Sequence, residues 1–540
     1  MKLGKIDIFM LFTGILICML WSGSFFALQF IPIAIAILAI FIFRPTQIRL
    51  SCDAILLFGI AIIMLFSLLI FSVNKHIGVL EWTRYLLLPL SVVFFSNHKD
   101  KGIVAKAIYC GCLIIAALGL LSYMSIVEIP FSMLEASWRL QSVIQYANTT
   151  ALIMVIGIIY SINYWRDSRK IYHVLAAGIL IYALVLTGSR TSFIIFLFVA
   201  VLYVFMLLPR KYGFAVLAIL LVAVGIFSAL NFRIVRISIF EPTLIERFIT
   251  YQDALTILKS RFVQGFGIGN WQEQQYLYQS APYTARFIHS FYLQLFLDGG
   301  AVSVILFLAV TLPALVRGWK KKSIHFFILL TIMLHIIIDF HMTFACVILI
   351  TMFSVSELQS EKYFTINPRC FRHAAWIPIV ILISIWGSEW FYSQSNKLLL
   401  DNHLEEAMAA SSRSVMLNPM NNNAYFNMSQ STRDVSLTES YLHKAIALNE
   451  FDTDSTETLV MVHLYYNQYS EAVELSQRLF EIQRFNQSYQ NLYRLVLSQA
   501  LTDGVISHEE MSEKVHAMNA QLETVNPLYT QYIQPVINNH

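Results

Sequence analysis

The chain is written in long apolar runs separated by short polar connections. The runs approach about 19 residues, the length of helix that crosses a hydrocarbon layer. They predict thirteen membrane spans near residues 6–22, 25–43, 53–73, 78–96, 103–124, 146–164, 172–188, 191–208, 212–230, 291–316, 323–338, 342–356 and 374–391. The first run has no small-residue cleavage site and is followed at once by another, so it reads as a retained span and not as a removed signal peptide. Lys and Arg recur in every second short connection: Arg44 and Arg49, Lys99 and Lys101, Arg166 with Arg169 and Lys170, Arg210 with Lys211, Arg317 with Lys320 to Lys322, and Lys362 with Arg369 and Arg372. Short basic connections stay in the cytoplasm. Lys2 and Lys5 put the N-terminus there too, so an odd number of spans carries the 231–290 loop and everything after 391 to the outer face.

Composition narrows the class. Of 540 residues, 57% are hydrophobic and 13% charged, whereas a soluble globule carries about a quarter charged residues. The expectation is an all-α polytopic membrane protein with twelve or thirteen transmembrane helices. A net charge of +4 by itself calls for neither a nucleic-acid partner nor a polybasic anchor. Its distribution says more. Residues 392–540 hold 8 basic and 17 acidic side chains, near −9, which leaves the preceding part near +13. Two domains are expected: a membrane domain over 1–391 with its large outer loop, and a soluble α-helical domain over 392–540 that faces outward. Within the second, Leu417-Asn418-Pro419, Leu448-Asn449-Glu450 and Ile482-Gln483-Arg484 recur 31 and 34 residues apart, each closing a helical stretch. That period is similar to tetratricopeptide helix pairs, which stack because one pair cannot bury its apolar face alone; an unrelated helical bundle is the alternative. The six cysteines lie in apolar spans or beside basic connections and form no disulfide framework.

Candidate chemistry concentrates in the loop from Asn231 to Ser290, where Arg233, Arg236, Arg247, Arg261 and Arg286 face Glu241, Glu246, Asp253 and Glu273. The planar fork of arginine suits phosphate oxygens and never loses its charge. A phosphate ligand at the membrane surface is one reading; pairing with lipid headgroups or the nearby acids is the other. Arg190 closes the turn Leu186-Thr187-Gly188-Ser189-Arg190, where a charge so near hydrocarbon calls for a partner unless it snorkels to the interface. His289 stands immediately before a span. A neutral imidazole there can take a proton from a hydroxyl, or simply hydrogen-bond the helix start. Gly265-Phe266-Gly267-Ile268-Gly269-Asn270 is no nucleotide loop, because no strand precedes it and no βαβ unit surrounds it. Its glycines fit a tight turn that brings backbone near the bilayer or a ligand. His335 and Asp339, four residues apart, would share one face of a helix.

The run Arg247-Phe248-Ile249-Thr250-Tyr251-Gln252-Asp253-Ala254-Leu255, then Gly265 to Gly269, then His289-Ser290 with Gly300 eleven residues beyond His289, resembles the core of the O-antigen ligase and polymerase superfamily. Arg139 with Tyr146-Ala147-Asn148, the Thr187 to Arg190 turn, and His335 with Asp339 extend the resemblance over roughly residues 130–345. Ser303 stands where Gly, Thr or Tyr is usual and Tyr251 where Trp is common, which leaves the subfamily open. The resemblance implies a GT-C-like glycosyltransferase in the cytoplasmic membrane of a bacterium. It would move a glycan from a polyprenyl-diphosphate carrier, such as undecaprenyl diphosphate, to an acceptor hydroxyl or amine on the outer face. It further implies catalytic roles for His289 on the acceptor and for Arg190 and Arg247 on the diphosphate. Arg139, Asn148, Arg261, Arg286, His335 and Asp339 would contact substrate. No outward-facing Asp-x-Asp pair is present in the membrane part and Asp298 and Asp339 are isolated in sequence, so metal-independent transfer with no cofactor is expected, the arginines replacing the cation. Expected partners are the lipid-linked donor, a glycan, lipid or protein acceptor, membrane lipids and a protein at the C-terminal repeats, with no nucleic acid. A cell-surface polysaccharide ligase leads; a repeat-unit polymerase and a protein O-oligosaccharyltransferase are its rivals. A lipid-linked glycan transporter is a further alternative. Against it, the ionisable residues gather at the outer surface, with Glu81, Arg84 and His335 the exceptions, and no repeated broken-helix pattern is visible.

Overall fold

The computed structural model describes residues 5–43, 48–134, 138–207, 241–360 and 362–535, and the chain there is almost wholly helical. Eight helices come first: α1 (Lys5–Leu20), α2 (Ala27–Phe43), α3 (Cys52–Ile70), α4 (Lys75–Asn97), α5 (Lys101–Tyr123), α6 (Ala147–Ser168), α7 (Tyr172–Leu186) and α8 (Arg190–Leu207). A loop region holds α9 (Pro242–Ser260) and α10 (Asn270–Tyr278), after which α11 (Phe291–Lys321), α12 (Ile324–His335), α13 (Ala345–Leu358) and α14 (Pro368–Leu400) complete the apolar set. Seven of these, α3, α4, α5, α6, α8, α11 and α14, are long and apolar enough to cross a membrane, and α1, α2, α7, α12 and α13 are shorter apolar helices. They coincide with twelve of the thirteen expected spans. The remaining one, 212–230, lies outside the described residues, as do Lys2, Arg44, Arg210, Lys211, Arg233 and Arg236. Helices are the form such runs must take, because hydrocarbon offers no partner for an open backbone amide or carbonyl. α4 and α6 run through the middle of the bundle and are buried over most of their length, while α14 stands at its edge.

The bundle has two distinct ends. At one, β1 (Ile48–Ser51) pairs antiparallel with β4 (Tyr363–Ile366), the Asn97 amide brackets the backbone of Arg49 at 2.8 and 2.9 Å, Arg317 reaches Asp53 at 3.1 Å, and Lys101 meets Glu357 at 2.6 Å. At the other end the turns after α3, α7 and α12 meet the 241–290 segment through Val73 and Asn270, Arg190 and Glu241, and Ile338 and Arg247. The turn after α5 includes the short antiparallel pair β2 (Met133–Leu134) and β3 (Arg139–Leu140).

Eight further helices follow: α15 (Leu404–Leu417), α16 (Asn422–Gln430), α17 (Val435–Leu448), α18 (Thr453–Tyr465), α19 (Tyr469–Ile482), α20 (Gln487–Thr502), α21 (His508–Glu523) and α22 (Pro527–Tyr532). From α15 to α21 each packs chiefly on its neighbours in sequence, whereas α22 packs on α9. Position 391 lies inside α14, whose far half folds against α15. Serine pairs allow that approach, Ser388 with Ser414 at 2.9 Å and Ser395 with Ser411 at 2.6 Å. The repeated residues Asn418 and Asn449 end α15 and α17 in matching backbone conformations, φ −139° and −145°. Both then reach across to the bundle: Asn418 lies 2.9 Å from His76 Nδ1, and Asn449 donates to Glu273 at 2.6 Å. At the third repeat Arg484 donates to the Gln279 carbonyl at 2.6 Å. The three docking residues lie 31 and 35 residues apart, so the contacts follow the repeat with the third shifted by one position, from Gln483 to Arg484. Finally the Asn526 amide donates to the Ser280 carbonyl at 2.7 Å, and Leu528, Tyr529 and Tyr532 pack on the apolar cluster of Ile245, Ile249 and Trp271.

One local expectation is corrected. His335 and Asp339 do not share a helix face, because α12 stops at His335 and Asp339 sits in the turn beyond it. The carbonyls that would continue the helix have other donors: Ile336 accepts from the Phe291 amide at 2.9 Å and Ile338 from Arg247 at 2.8 Å.

Candidate active site

Asp339 is the centre. Its side chain is 4% exposed, and a buried carboxylate persists only where donors surround it. Tyr146 donates its hydroxyl to both oxygens at 2.9 and 3.1 Å, Asn148 its amide at 2.7 Å, and the Phe340 amide lies at 2.9 Å. Arg247 stands 3.6 Å away, His289 Nδ1 3.4 Å and His341 Nε2 4.0 Å. Burial alone would raise this carboxyl, but His341, the hydrogen bond from His289 and the Arg247 guanidinium together hold it well below the usual carboxylate range. Burial pushes the neighbouring His341 imidazole down to about 4, so it is neutral at pH 7. Its Nδ1 meets the Thr149 hydroxyl at 2.8 Å.

The arginines arrive from three directions. Arg139, on β3, donates to the Thr187 carbonyl at 2.8 Å and to Asn148 Oδ1 at 2.7 Å. Asn148 therefore bridges Arg139 and Asp339, and its two contacts fix which end of the amide is which. Arg190 opens α8 directly after that same Thr187 turn, and its ion-pair partner is Glu241, which precedes α9. Arg247 lies one and a half turns into α9 and ties it to the turn after α12 through the Ile338 carbonyl.

His289 is held on all but one edge. Tyr251, one turn beyond Arg247, donates to its backbone carbonyl. Ser290 caps α11 by accepting from the Leu293 amide, and the imidazole packs on Phe340 with centroids 5.1 Å apart. With Nδ1 facing a carboxylate, the neutral ring carries its proton there and presents the Nε2 lone pair outward. The side chain is 27% exposed.

Three residues expected at the site lie apart from this group. His335 is buried behind His341, ring centroids 5.2 Å apart. Arg261 ends α9 and lies over the Phe266 ring at 5.6 Å, roughly 21 Å of helix from Arg247. Arg286 is exposed and donates to Gln272 at 3.2 Å; Gln272 in turn donates to Glu81 at 3.0 Å, which is 3.4 Å from the buried Arg84. This second polar group borders a small cavity lined by Tyr85, Phe287, Phe291 and Gln294 among others. Asp298, isolated in sequence, receives the Tyr85 hydroxyl at 2.6 Å beside it.

Sequence reasoning missed His341, the Tyr146 hydroxyl, the Glu241 partnership and the Tyr251 link. The available signal was the crowding of His335, Asp339 and His341 between two apolar runs. The glycine turn, at Gly265, lies close against the backbone of α11. A Cβ on Gly265 would meet the Gly300 amide and Leu297 carbonyl at 2.6 Å, and the Phe266 amide donates to Leu297 at 2.6 Å. Gly300, at φ 73°, breaks α11 to allow this crossing.

Fold and site together define a multi-pass membrane protein with a buried carboxylate, an imidazole and Arg247 brought together at one end of its bundle. Residues 175–308 match the family model described as O-antigen ligase, so that part of the chain is similar to this family. The match covers α7 to the first half of α11, with Arg190, Arg247 and His289 inside it. It supports an O-antigen ligase-type function in cell-surface polysaccharide synthesis, the family's members being ligases and glycosyltransferases. No curated protein matches the chain.

Proposed function

We propose that the protein transfers a glycan from a polyprenyl-diphosphate carrier to a macromolecular acceptor on the outer face of the cytoplasmic membrane, without a metal. The observation that carries this reading is the His289–Asp339 pair at 3.4 Å, with Arg247 3.6 Å from the carboxylate, Arg139 joined to it through Asn148, and Arg190 paired with Glu241 just before α9. The acceptor oxygen attacks the anomeric carbon, the bond from that carbon to the diphosphate oxygen breaks, and the acceptor proton passes to His289 Nε2. Asp339 holds Nδ1–H and stabilises the imidazolium that forms. Charge grows on the departing lipid diphosphate, where the arginines act as preorganised donors, each contributing on the order of 3 kcal/mol. Arg190 exchanges Glu241 for phosphate oxygens in this scheme.

The basic connections would face the cytoplasm, which puts the site and the helices after α14 outside. Those helices are read as tetratricopeptide-like pairs. Stacked pairs present a surface for chains or proteins, and this surface docks on the segment carrying Arg247, which favours a ligase with a large acceptor. The test is reconstitution of the purified protein with a lipid-diphosphate oligosaccharide and candidate acceptors, followed by mass analysis. Glycosylated acceptor and free lipid diphosphate are expected. Carrier-linked polymer would make it a polymerase, and movement of intact donor between leaflets without cleavage would make it a transporter.

A further inference from the structure

The connection between α5 and α6 carries an apolar surface that the proposed chemistry does not use. Met124, Ile126, Phe131, Leu134 and Trp138 are exposed there, Phe131 and Trp138 to 77% each. The base beneath them is fixed. The Ser132 carbonyl accepts from the Gln141 and Ser142 amides at 2.7 and 2.9 Å, Ser132 Oγ lies 2.6 Å from Ser122 Oγ, and Ser142 donates to the Ile115 carbonyl at 2.7 Å. Phe131 and Trp138 adopt φ 57° and 49°, a region that aromatic L-residues rarely enter. The backbone thus accepts a local cost to hold its two largest side chains outward.

Trp138 is followed directly by Arg139, whose guanidinium lies on Asn148 inside the site. The same pairing recurs on α9, where Arg247 enters the site and Phe248 is 48% exposed. An apolar surface one peptide bond from an anion-binding group matches a ligand that is hydrocarbon at one end and diphosphate at the other. We propose that the 124–134 connection with Trp138 is the docking lip for the isoprenoid chain of the donor, which lies over Phe131 and Trp138 while its diphosphate rests on Arg139 and its neighbours. The occupant is the donor's chain and not bulk lipid, because the adjacent Arg139 guanidinium is held on the Thr187 carbonyl and on Asn148, beside Asp339. The inference rests on the lipid-diphosphate donor assigned above.

The test uses the full-length protein and a Phe131→Ser/Trp138→Ser variant with two donors bearing one glycan, on a long polyprenyl diphosphate or on a short alkyl diphosphate. The variant should raise KM for the long-chain donor by roughly tenfold or more, from two lost aromatic contacts, with kcat and the short-chain donor unchanged. An equal rise for both donors, or none for either, overturns the lip. A wild type that cleaves neither donor instead sinks the functional reading. Photocrosslinking then judges the lip alone: a photoactivatable polyprenyl diphosphate without glycan should label the peptide around Phe131 and Trp138, competed by unlabelled polyprenyl diphosphate and not by phosphatidylglycerol. Competition by phosphatidylglycerol overturns it.

Discussion

The carboxylate of Asp339 stands 3.4 Å from Nδ1 of His289, across 50 residues of sequence. Neither side chain could hold that geometry by itself. Tyr146 and Asn148 fix the carboxylate from α6, Tyr251 fixes the His289 backbone from α9, and the Ser290 cap fixes the peptide that follows. An imidazole so oriented keeps Nε2 as an acceptor, which is what a general base toward a hydroxyl requires.

His289→Ala should therefore lower kcat by about 10² to 10⁴ with an unchanged thermal melt, the range for a lost general base. Asp339→Asn keeps the shape but removes the charge, and a loss of about 10² or more is expected. Wild-type kcat in either variant, measured on reconstituted protein, would remove the pair from the mechanism.

Arg190→Ala should cost about 10² to 10³ in kcat, the scale of one lost charge-stabilising donor. Arg247→Lys should also be impaired, since an ammonium cannot reproduce the guanidinium fork. Wild-type turnover should persist in chelator. Arg261→Ala, far along α9, should change kcat by less than about threefold, because a surface charge at that distance is screened. Arg190→Ala retaining full turnover in chelator contradicts the assignment.

Glu273 gives a pH dependence to the docking of the C-terminal helices. Burial, partly offset by the hydrogen bond from Asn449, raises its carboxyl from near 4.5 to about 7. The folded state then binds a proton the unfolded chain has lost, so stability contributed here is present below about pH 4.5 and falls as pH rises to about 7. Limited proteolysis of residues 404–535 should quicken across that window, and Glu273→Gln should flatten the profile. An equally steep profile in the variant would assign the effect elsewhere.

Gly300→Ala tests the backbone crossing. Its Cβ would stand 1.8 Å from the Val263 carbonyl at a left-handed φ, a strain of order 1–3 kcal/mol before the clash is relieved. A markedly lower melting temperature is expected, whereas Gly102→Ala, where nothing lies within 4 Å, should leave it unchanged.

How much was legible follows from the range of each interaction. The apolar runs fix helices because the preference of a 20-residue stretch for hydrocarbon is a sum over its own side chains, independent of what it packs against. Arg190 and His289 could be read because each stands at the edge of such a run, and Arg247 because it belongs to the arginine-rich 231–290 loop. The Asn418 and Asn449 spacing could be read because repeated units repeat their sequence. Partners could not. That Glu241 answers Arg190, that His341 backs Asp339, and that the Gly265 turn crosses Gly300 are facts about segments tens of residues apart.

Sequence by itself determined the helices, most of their ends and the cations that stand at those ends, since these depend on local apolarity and on the cost of a charge near lipid. Only the tertiary structure decided that Asp339 leaves its helix to become the hub, that Arg261 is carried away from it, and that the chain's final helices return to the segment bearing Arg247. Those outcomes depend on which distant carbonyls and carboxylates a donor can reach, and that is set by packing, not by neighbours in the chain.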